Sequence, residues 1–339
     1  MAPWTAPVVD LELVTGADPA VAAQVDEALR SCGLFFVVNH GVPKPLVDNV
    51  WAFVRHFHAA PMELKNTVAE TSETAPLGFS VRPSSTPGVT GQERYETLFP
   101  EQSGKGRLNS WPDESGAPGL AGFRACLSEY GREVDALAHR LLPLLGHSLG
   151  LPTGWFEQAF EEAQYFINAV HYPPQPKRFC GAQPHTDSGV LTFLAQQDKP
   201  GFEICLPDGR WVPVAPPPVG PDDCCPILVQ AGDLMRRWTN HTYASALHRV
   251  APHPGTGDRY AIPIFWGPSE SYVLGTVPGC SDPLTNPERY APISYPDYIS
   301  GYFAKPRSPE FTALQRASWT EAQTAAAAEN VIEELEARL

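Results

Sequence analysis

A histidine and an aspartate stand two residues apart at His185 and Asp187, and a second histidine, His248, follows much later in the chain. Because side chains alternate along a β-strand, His185 and Asp187 are expected to point to the same face of a strand. Two imidazoles and one carboxylate on one face of a metal ion leave the opposite coordination positions open, which is the ligand arrangement of reactive non-haem Fe(II) sites. These three residues therefore predict an iron site.

The flanking sequence supports this prediction, whereas a His-x-Asp tripeptide alone is more often a surface turn. Residues 189–195 form a short, apolar and partly β-branched run, which favours a buried strand directly after the first two ligands. Residues 245–250 are expected to form a strand that carries His248. A further strand is expected over residues 259–266, with a single cation, Arg259, at its beginning.

The order of these motifs resembles that of the 2-oxoglutarate/Fe(II)-dependent oxygenases, and within them the branch that contains isopenicillin N synthase and the plant flavonoid and gibberellin oxygenases. Residues 171–174, His-Tyr-Pro-Pro, lie where the family has a Tyr-Pro-Pro segment. Residues 32–42 resemble the strand and turn near the N-terminus of that branch. The resemblance covers residues 8–303, nearly the whole chain, and implies an enzyme of this family.

The resemblance also implies the cofactor, the co-substrates and their ligands. His185, Asp187 and His248 would bind Fe(II), 2-oxoglutarate would take two of the three open positions, and O2 would take the third. Arg259 would hold the far carboxylate of 2-oxoglutarate, because a guanidinium group binds a carboxylate through two hydrogen bonds and keeps its charge when buried. Tyr172 would be the second donor. The implied reaction is oxidation of a C–H bond of a small metabolite, by hydroxylation, desaturation or cyclisation, in secondary metabolism.

One residue departs from the family pattern. The family commonly has Arg-x-Ser, and this chain has Ala261 two residues after Arg259. The missing hydroxyl removes one hydrogen bond to the co-substrate, which is worth about 0.5–1.5 kcal/mol. The alternative function is therefore an isopenicillin N synthase-like Fe(II) oxidase that uses no 2-oxoglutarate and cyclises its substrate. Two other classes stay open, a metal-free jelly-roll binding protein and a zinc hydrolase that uses the same three ligands.

Substrate contacts are expected from two parts of the chain. Residues 68–118 are rich in Ser, Thr, Gly and Pro and are interpreted as a solvated connection, but the resembled family passes this region over the mouth of the active site. The candidate contacts in this region are Arg82, Ser84 and Arg94. The other candidates are Asn168 and His171 as polar contacts, and Phe166, Phe193, Phe265 and Trp266 as apolar walls.

Helices are expected towards both ends of the chain. Thr320 and Gln323 form a capping box before a C-terminal helix, which is interpreted as a packing or dimer element. Pro143 lies inside the longest expected helix and should kink it. The other helices follow from apolar residues at helical spacing, over residues 19–30, 44–60, 122–149 and 155–162.

The middle of the chain is expected to be β-structure. Residues 165–266 alternate short β-rich runs with Gly, Pro and Asp turns, one of them at residues 232–235, which favours an antiparallel jelly roll. The predicted fold class is α+β with a mainly β core, a double-stranded β-helix (jelly roll) flanked by N-terminal and C-terminal helices. Residues 1–339 are expected to form a single catalytic domain, with a helical N-terminal region at 1–160, a jelly-roll core that carries the metal site at 161–270 and a C-terminal helical extension at 271–339.

Composition and charge narrow the classes of partner. The 339 residues are 43% hydrophobic and 18% charged, which is typical of a globular protein. The net charge of −14 argues against nucleic acid or an anionic membrane, and no apolar run reaches the length of a membrane span. Seven cysteines without a Cys-x-x-Cys pair, and a beginning that lacks a secretory signal pattern, predict free thiols and a cytoplasmic location. The expected partner is a small-molecule substrate, and the expected state is a monomer or a homodimer.

Overall fold

The computed structural model describes residues 4–83, 90–101, 109–117, 119–174, 180–196, 199–220, 223–251, 257–303 and 319–336. The strands are β1 (Val8–Asp10), β2 (Leu34–Val38), β3 (Gly78–Pro83), β4 (Thr90–Phe99), β5 (Gln164–Tyr172), β6 (Ala182–His185), β7 (Leu191–Gln196), β8 (Phe202–Cys205), β9 (Trp211–Pro213), β10 (Ile227–Ala231), β11 (His248–Val250), β12 (Arg259–Gly267), β13 (Val273–Leu274) and β14 (Ile293–Ser294). The helices are α1 (Pro19–Ser31), α2 (Lys44–Ala59), α3 (Met62–Asn66), α4 (Phe123–Ser148), α5 (Asp233–Trp238), α6 (Tyr295–Phe303) and α7 (Glu321–Glu336), with a 3₁₀ helix at Glu157–Phe160.

Two sheets pack face to face and form the centre of the fold. The larger sheet has eight strands in the order β1-β2-β10-β7-β12-β5-β4-β3, and the smaller has four in the order β6-β11-β8-β9. Their pairings are antiparallel except that of β1 with β2. Apolar side chains such as Val170 of β5, Leu194 of β7 and Ile204 of β8 form one core between the sheets. This arrangement is the predicted double-stranded β-helix.

The opposite face of the larger sheet is covered by helices, among them α2 and α4. Because side chains alternate along a strand, each central strand contributes to two cores. In β5, Ile167 and Ala169 belong to the core beneath the helices, whereas Val170 and Tyr172 belong to the core between the sheets. We call the face of the larger sheet that packs against the helices the helix-side face, and the face that packs against the smaller sheet the inner face. The face on which a residue lies decides whether it can reach the metal centre.

The C-terminal helix α7 begins at the predicted capping box. The backbone N–H of Thr320 donates to Gln323 Oε1, and that of Gln323 donates to Thr320 Oγ1, both at 3.0 Å. The Gln323 side chain also donates to the carbonyl oxygen of Cys205 in β8 at 2.8 Å, and Ala327 packs with Cys205 and Leu247. The helix is therefore a packing element on the smaller sheet.

The structure corrects the interpretation of residues 68–118 as a solvated connection. β3 and β4 form a hairpin at one edge of the larger sheet, and β4 pairs along its length with β5. Tyr95 and Thr97 of β4 are buried on the helix-side face, whereas the inner face carries the charged residues Arg94 and Glu96. Because Glu93 and Thr97 are polar and also lie on the helix-side face, the strand lacks the regular apolar alternation that would have marked it. The N-terminal region 1–160 is only partly helical, since β1 to β4 all belong to the sheet.

Shorter elements also differ from the prediction. The expected turn at residues 232–235 includes the start of α5, and the expected helix at residues 155–162 is one 3₁₀ turn. The expected helix over residues 122–149 is α4, and it continues through Pro143 as a single helix. Among the helices described, none is both long enough and apolar enough to cross a membrane.

Candidate metal centre

His185 and His248 are brought together by two paired strands of the smaller sheet. His185 is the last residue of β6, His248 is the first residue of β11, and the two lie opposite each other in the antiparallel register. Their ring centroids are 4.3 Å apart. The predicted alternation does not place Asp187, because β6 ends at His185 and Asp187 lies in the loop that follows.

The loop that carries Asp187 is held against the start of α5. The backbone N–H of Asp233 donates to the carbonyl oxygen of Asp187 at 2.7 Å, and the Thr186 hydroxyl donates to the Asp233 carboxylate at 2.9 Å. Gly232, just before α5, approaches the loop closely. A Cβ atom there would collide with the carbonyl oxygen of Gly189 and would lie 3.0 Å from that of Asp187. A residue without a side chain is therefore required for this contact.

The side chains of His185, Asp187 and His248 converge on one point. Asp187 Oδ1 lies 3.9 Å from His185 Nε2 and 3.7 Å from His248 Nε2, and ligand atoms of the three residues all lie within 4.8 Å of one another. The side chains of Asp187 and His248 are 7% and 6% exposed, whereas that of His185 is 42% exposed. One ion can contact all three residues, and the centre opens beside His185.

Hydrogen bonds fix both imidazoles in the tautomer that binds metal. His185 Nδ1 lies 2.6 Å from the carbonyl oxygen of Gln183, and His248 Nδ1 lies 2.9 Å from that of Ala246. A carbonyl oxygen only accepts, so each Nδ1 carries the proton and each Nε2 presents its lone pair to the centre. Desolvation and then the neighbouring His248 ring lower the pKa of His185 to about 4, which keeps this ring neutral at pH 7.

Arg259 is a buried cation on the inner face of the larger sheet. It begins β12 directly opposite Tyr172 of β5 and is 1% exposed, with its guanidinium carbon 5.0 Å from the centroid of the Tyr172 ring. Burial lowers its pKa, and an interaction with the Tyr172 hydroxyl raises it. Its Nε and Nη1 atoms have no hydrogen-bond partner, and no carboxylate of the described residues pairs with it. An arginine stays charged when buried, so this arrangement favours a bound anion.

Five of the predicted substrate contacts lie on the inner face. Arg94 is opposite Val170, which belongs to the core between the sheets. Phe265 is opposite Phe166, and Phe166 lies an even number of residues from Val170 on β5, so both phenylalanines share the inner face. Asn168 lies between these positions on β5, and Arg82 of β3 lies on the same face as Arg94, paired with Glu70 at 3.3 Å. Ser84 is outside the residues that the structure describes.

The structure corrects the prediction that Trp266 and His171 contact the substrate, because both lie on the helix-side face. Trp266 is fully buried, stacks on Phe160 with the ring centroids 3.9 Å apart, and donates from Nε1 to Asp135 Oδ1 at 2.7 Å. Phe193, predicted as an apolar wall, belongs to the same helix-side core. These residues stabilise the packing of helices on the sheet.

His171 belongs to a buried ion network between β4, β5 and the α2–α3 region. Glu93 Oε2 lies 3.1 Å from His58 Nδ1, 3.4 Å from His171 Nδ1 and 3.1 Å from Lys65 Nζ. Burial alone would raise the pKa of Glu93, but the hydrogen bonds from His171, His58 and Lys65 outweigh it and hold the pKa well below its usual range. Although three of these residues are close enough to share a metal ion, the Lys65 ammonium group already neutralises the carboxylate, and both ring nitrogens of His58 are engaged. The network is therefore an ion pair that joins the two layers, and no pattern in the sequence marks it.

Replacing Trp266 with phenylalanine is expected to lower the free energy of unfolding by about 1–3 kcal/mol, since the variant loses the buried hydrogen bond to Asp135 and part of the stacking on Phe160. Fe(II) affinity should not change, because the indole lies on the far side of the sheet. Urea denaturation and metal titration of the same preparation measure both quantities. Phe265→Leu is the matched control for loss of part of an aromatic side chain from β12, as the Phe265 ring lies on the inner face. Weakened metal binding at unchanged stability in Trp266→Phe would contradict the assignment.

Two family models match this chain. The model of the 2OG-Fe(II) oxygenase superfamily matches residues 162–268, which include His185, Asp187, His248 and Arg259. The model described as non-haem dioxygenase in morphine synthesis N-terminal matches residues 6–114. The two matches cover both the smaller sheet and the N-terminal strands that complete the larger one.

Individual proteins are similar over nearly the full length. A 2-oxoglutarate-Fe(II) type oxidoreductase, hxnY of Emericella nidulans, is 31% identical over 326 residues, which cover 89% of this chain and 90% of that protein. 1-Aminocyclopropane-1-carboxylate oxidase 3 of Arabidopsis thaliana is 28% identical, with 92% of this chain and 93% of that protein covered. The solved structure of JOX2 in complex with 2OG, Fe and JA has a TM-score of 0.76 and 26% identity, and covers 94% of this chain and 90% of that one.

Proposed function

This chain belongs to the 2OG-Fe(II) oxygenase superfamily, and from that premise we propose that His185, Asp187 and His248 bind its Fe(II) and that Arg259 and Tyr172 anchor 2-oxoglutarate. Fe(II) is the cofactor, and 2-oxoglutarate and O2 are the co-substrates. The proposed reaction oxidises a C–H bond of a small metabolite, by hydroxylation, desaturation or cyclisation, in secondary metabolism. The convergence of the three ligands, with both Nε2 lone pairs directed at the carboxylate, is the observation that carries the proposal.

The donor set suits Fe(II) in an open site. Two neutral imidazoles and one carboxylate provide three ligands, and the exposed side of His185 leaves room for further ligands. The backbone carbonyls that accept from the two Nδ1 atoms orient the rings before metal binds, which limits the rearrangement that binding requires. When bound, Fe(II), 2-oxoglutarate and O2 supply a two-electron oxidation of the substrate, with succinate and CO2 as the other products.

Arg259 provides the anion site that 2-oxoglutarate requires. Its Nε and Nη1 groups are buried without partners, and the far carboxylate of 2-oxoglutarate would accept from both. Tyr172, directly across the strand pair, holds the guanidinium group and offers its hydroxyl as a further contact. Apolar residues of the inter-sheet core, such as Leu194 and Phe202, exclude water from this end of the cleft.

The similarity to proteins named as 2-oxoglutarate-Fe(II) oxidoreductases favours the 2-oxoglutarate-dependent reaction over the alternative oxidase. Ala261 nevertheless stands where the family commonly has serine. It is 3% exposed, lies on the inner face with Arg259, and is flanked by Val170 of β5 and Gln196 of β7. The site therefore keeps the buried charge of Arg259 but lacks the hydroxyl group of the usual serine.

Replacing Ala261 with serine is expected to tighten 2-oxoglutarate binding by about 2–10-fold, since the added hydroxyl gives a hydrogen bond worth about 0.5–1.5 kcal/mol to the same carboxylate. Anaerobic titration of the Fe(II) protein with 2-oxoglutarate measures the dissociation constant. Fe(II) affinity, measured in parallel, should not change. A weaker affinity for 2-oxoglutarate in Ala261→Ser would show that the carboxylate does not lie beside this position.

The proposed function is tested by adding Fe(II) and 2-oxoglutarate anaerobically and recording the visible absorption spectrum, and then by measuring succinate release in air against a library of small metabolites. We expect a weak charge-transfer band on addition of 2-oxoglutarate and succinate release that rises with one class of metabolite. Substrate oxidation without 2-oxoglutarate or succinate would instead establish the alternative oxidase. Absence of Fe(II) binding would exclude both.

A further inference from the structure

Three polar side chains form a row on the inner face of the larger sheet. Arg94 and Glu96 are two residues apart on β4, and Glu96 lies directly opposite Asn168 on β5. Opposite residues of an antiparallel pair share a face, and Arg94 is opposite Val170, which belongs to the core between the sheets. All three side chains therefore lie on the inner face, which packs against the smaller sheet that carries His185 and His248. We call them the polar row.

One member of the row has a buried acceptor without a donor, and a second is a partly buried carboxyl group. Asn168 is completely buried, its Nδ2 lies 3.4 Å from Glu96 Oε2, and its Oδ1 has no hydrogen-bond partner. Burial raises the pKa of Glu96 to about 7, and the nearby Arg94 partly offsets that effect. Buried acceptors that lack donors are costly, so this part of the cleft favours a ligand that brings N–H groups.

The third member, Arg94, is a cation. Arg94 Nε donates to Gln92 Oε1 at 2.9 Å, and this side chain forms no ion pair with any residue that the structure describes. Arg94 is close enough to the metal centre for its charge to contribute to the lowered pKa of His185. A guanidinium group in this position suits a carboxylate or a carbonyl oxygen of a bound molecule.

We propose that the substrate presents an N–H group to Glu96 and Asn168 and a carboxylate or carbonyl oxygen to Arg94, with its carbon skeleton against Phe265. This inference rests on the proposed function, because it places the oxidised C–H bond beside the iron ligands. Two kinds of small molecule share this chemistry: α-amino acids, through their ammonium and carboxylate groups, and cyclic amides, through their ring N–H and C=O groups. A pure hydrocarbon skeleton would leave Asn168 Oδ1 buried without a donor and would bring no anion to Arg94.

The inference is tested by calorimetric binding to the wild-type protein loaded anaerobically with Fe(II) and 2-oxoglutarate, so that no turnover is required. L-Leucine, L-phenylalanine and L-proline represent the amino acids, and 2-piperidone and uracil represent the cyclic amides. Cyclohexanecarboxylate, which has a carboxylate and no N–H group, is the matched control probe. One of the two nitrogen-containing classes is expected to bind at least about tenfold more tightly than the control probe.

Variants of Glu96 distinguish the two classes. An ammonium group requires the carboxylate charge, so Glu96→Gln should weaken amino-acid binding by about tenfold or more. A ring N–H is also accepted by the glutamine carbonyl, so the same variant should change cyclic-amide binding by less than about threefold, whereas Glu96→Leu should weaken it by about tenfold. Arg94→Gln should weaken either class. Arg132→Gln and Glu63→Gln, which replace exposed side chains, are the matched control variants.

Three outcomes would overturn the inference: no binding of either nitrogen-containing class, equal binding of cyclohexanecarboxylate, or unchanged affinity in both Glu96→Leu and Arg94→Gln. Fe(II) and 2-oxoglutarate dissociation constants measured on the same preparations report on folding and on the proposed function. If these constants are unchanged while the probes fail to bind, the inference about the polar row is wrong and the proposed function stands. If Fe(II) and 2-oxoglutarate do not bind the wild-type protein, the proposed function itself fails.

Discussion

Replacing His185 with alanine is expected to reduce Fe(II) affinity and turnover together by more than about 100-fold, since even groups that only orient metal ligands contribute about 10–100-fold to metal affinity. The remaining histidine and carboxylate, His248 and Asp187, would leave a two-ligand site that holds iron poorly. Iron content after desalting and succinate release measure the two effects. Because the His185 side chain is 42% exposed and ends a strand, its removal should cost little in packing.

His147→Ala is the matched control, as that histidine is exposed on α4, and it should retain iron and activity. Urea denaturation of both variants separates loss of metal from loss of fold. Stoichiometric iron together with normal turnover in His185→Ala would remove His185 from the ligand set. Full iron content with no turnover would assign His185 a role other than metal binding.

Replacing Arg259 with glutamine is expected to raise the 2-oxoglutarate dissociation constant by about 100-fold or more, since removing one partner of a buried ion pair costs about 3–5 kcal/mol. In the ligand-free protein, by contrast, the same substitution should not destabilise the fold. There Arg259 is a buried charge without an acidic partner among the described residues, so glutamine should leave the free energy of unfolding unchanged or raise it. Thermal unfolding with and without 2-oxoglutarate distinguishes these two effects.

Arg132→Gln, on the exposed surface of α4, serves as the control for loss of one positive charge from the whole protein. It should bind 2-oxoglutarate as the wild type does. An unchanged 2-oxoglutarate requirement in Arg259→Gln would exclude Arg259 as the anchor. A large loss of stability in the ligand-free variant would show that the guanidinium group has a structural partner.

The alternation of side chains along a strand predicts which of the candidate residues can face the metal centre. Arg259 and Trp266 are seven residues apart on one strand, so they must point to opposite faces if the strand is regular. His171 and Tyr172 are adjacent on β5 and face opposite ways for the same reason. Once Arg259 and Tyr172 are assigned to the metal centre, alternation alone excludes Trp266 and His171 from it.

Other features depend on contacts that no local pattern encodes. The long helices agree with the sequence because their apolar residues recur at helical spacing, and β7 and β12 agree because each is a short apolar run. No regular apolar alternation marks β4, because the polar residues Glu93 and Thr97 interrupt its helix-side face. The buried Lys65 ammonium group is paired with Glu93, from a strand 28 residues later, and with the carbonyl oxygen of His58, and Asp187 owes its position to a loop contact with α5.

The contact at Gly232 has a consequence for how this site tolerates change. The Asp187 carboxylate, a proposed iron ligand, is positioned by backbone atoms that meet where no side chain intervenes. The geometry of the proposed site therefore depends on the absence of a side chain at Gly232 as well as on the ligands themselves. Even a single methyl group at position 232 would push the Asp187 loop away from α5 while every metal ligand remained in the sequence. A chain could thus keep the complete signature of the family and still be unable to hold its metal.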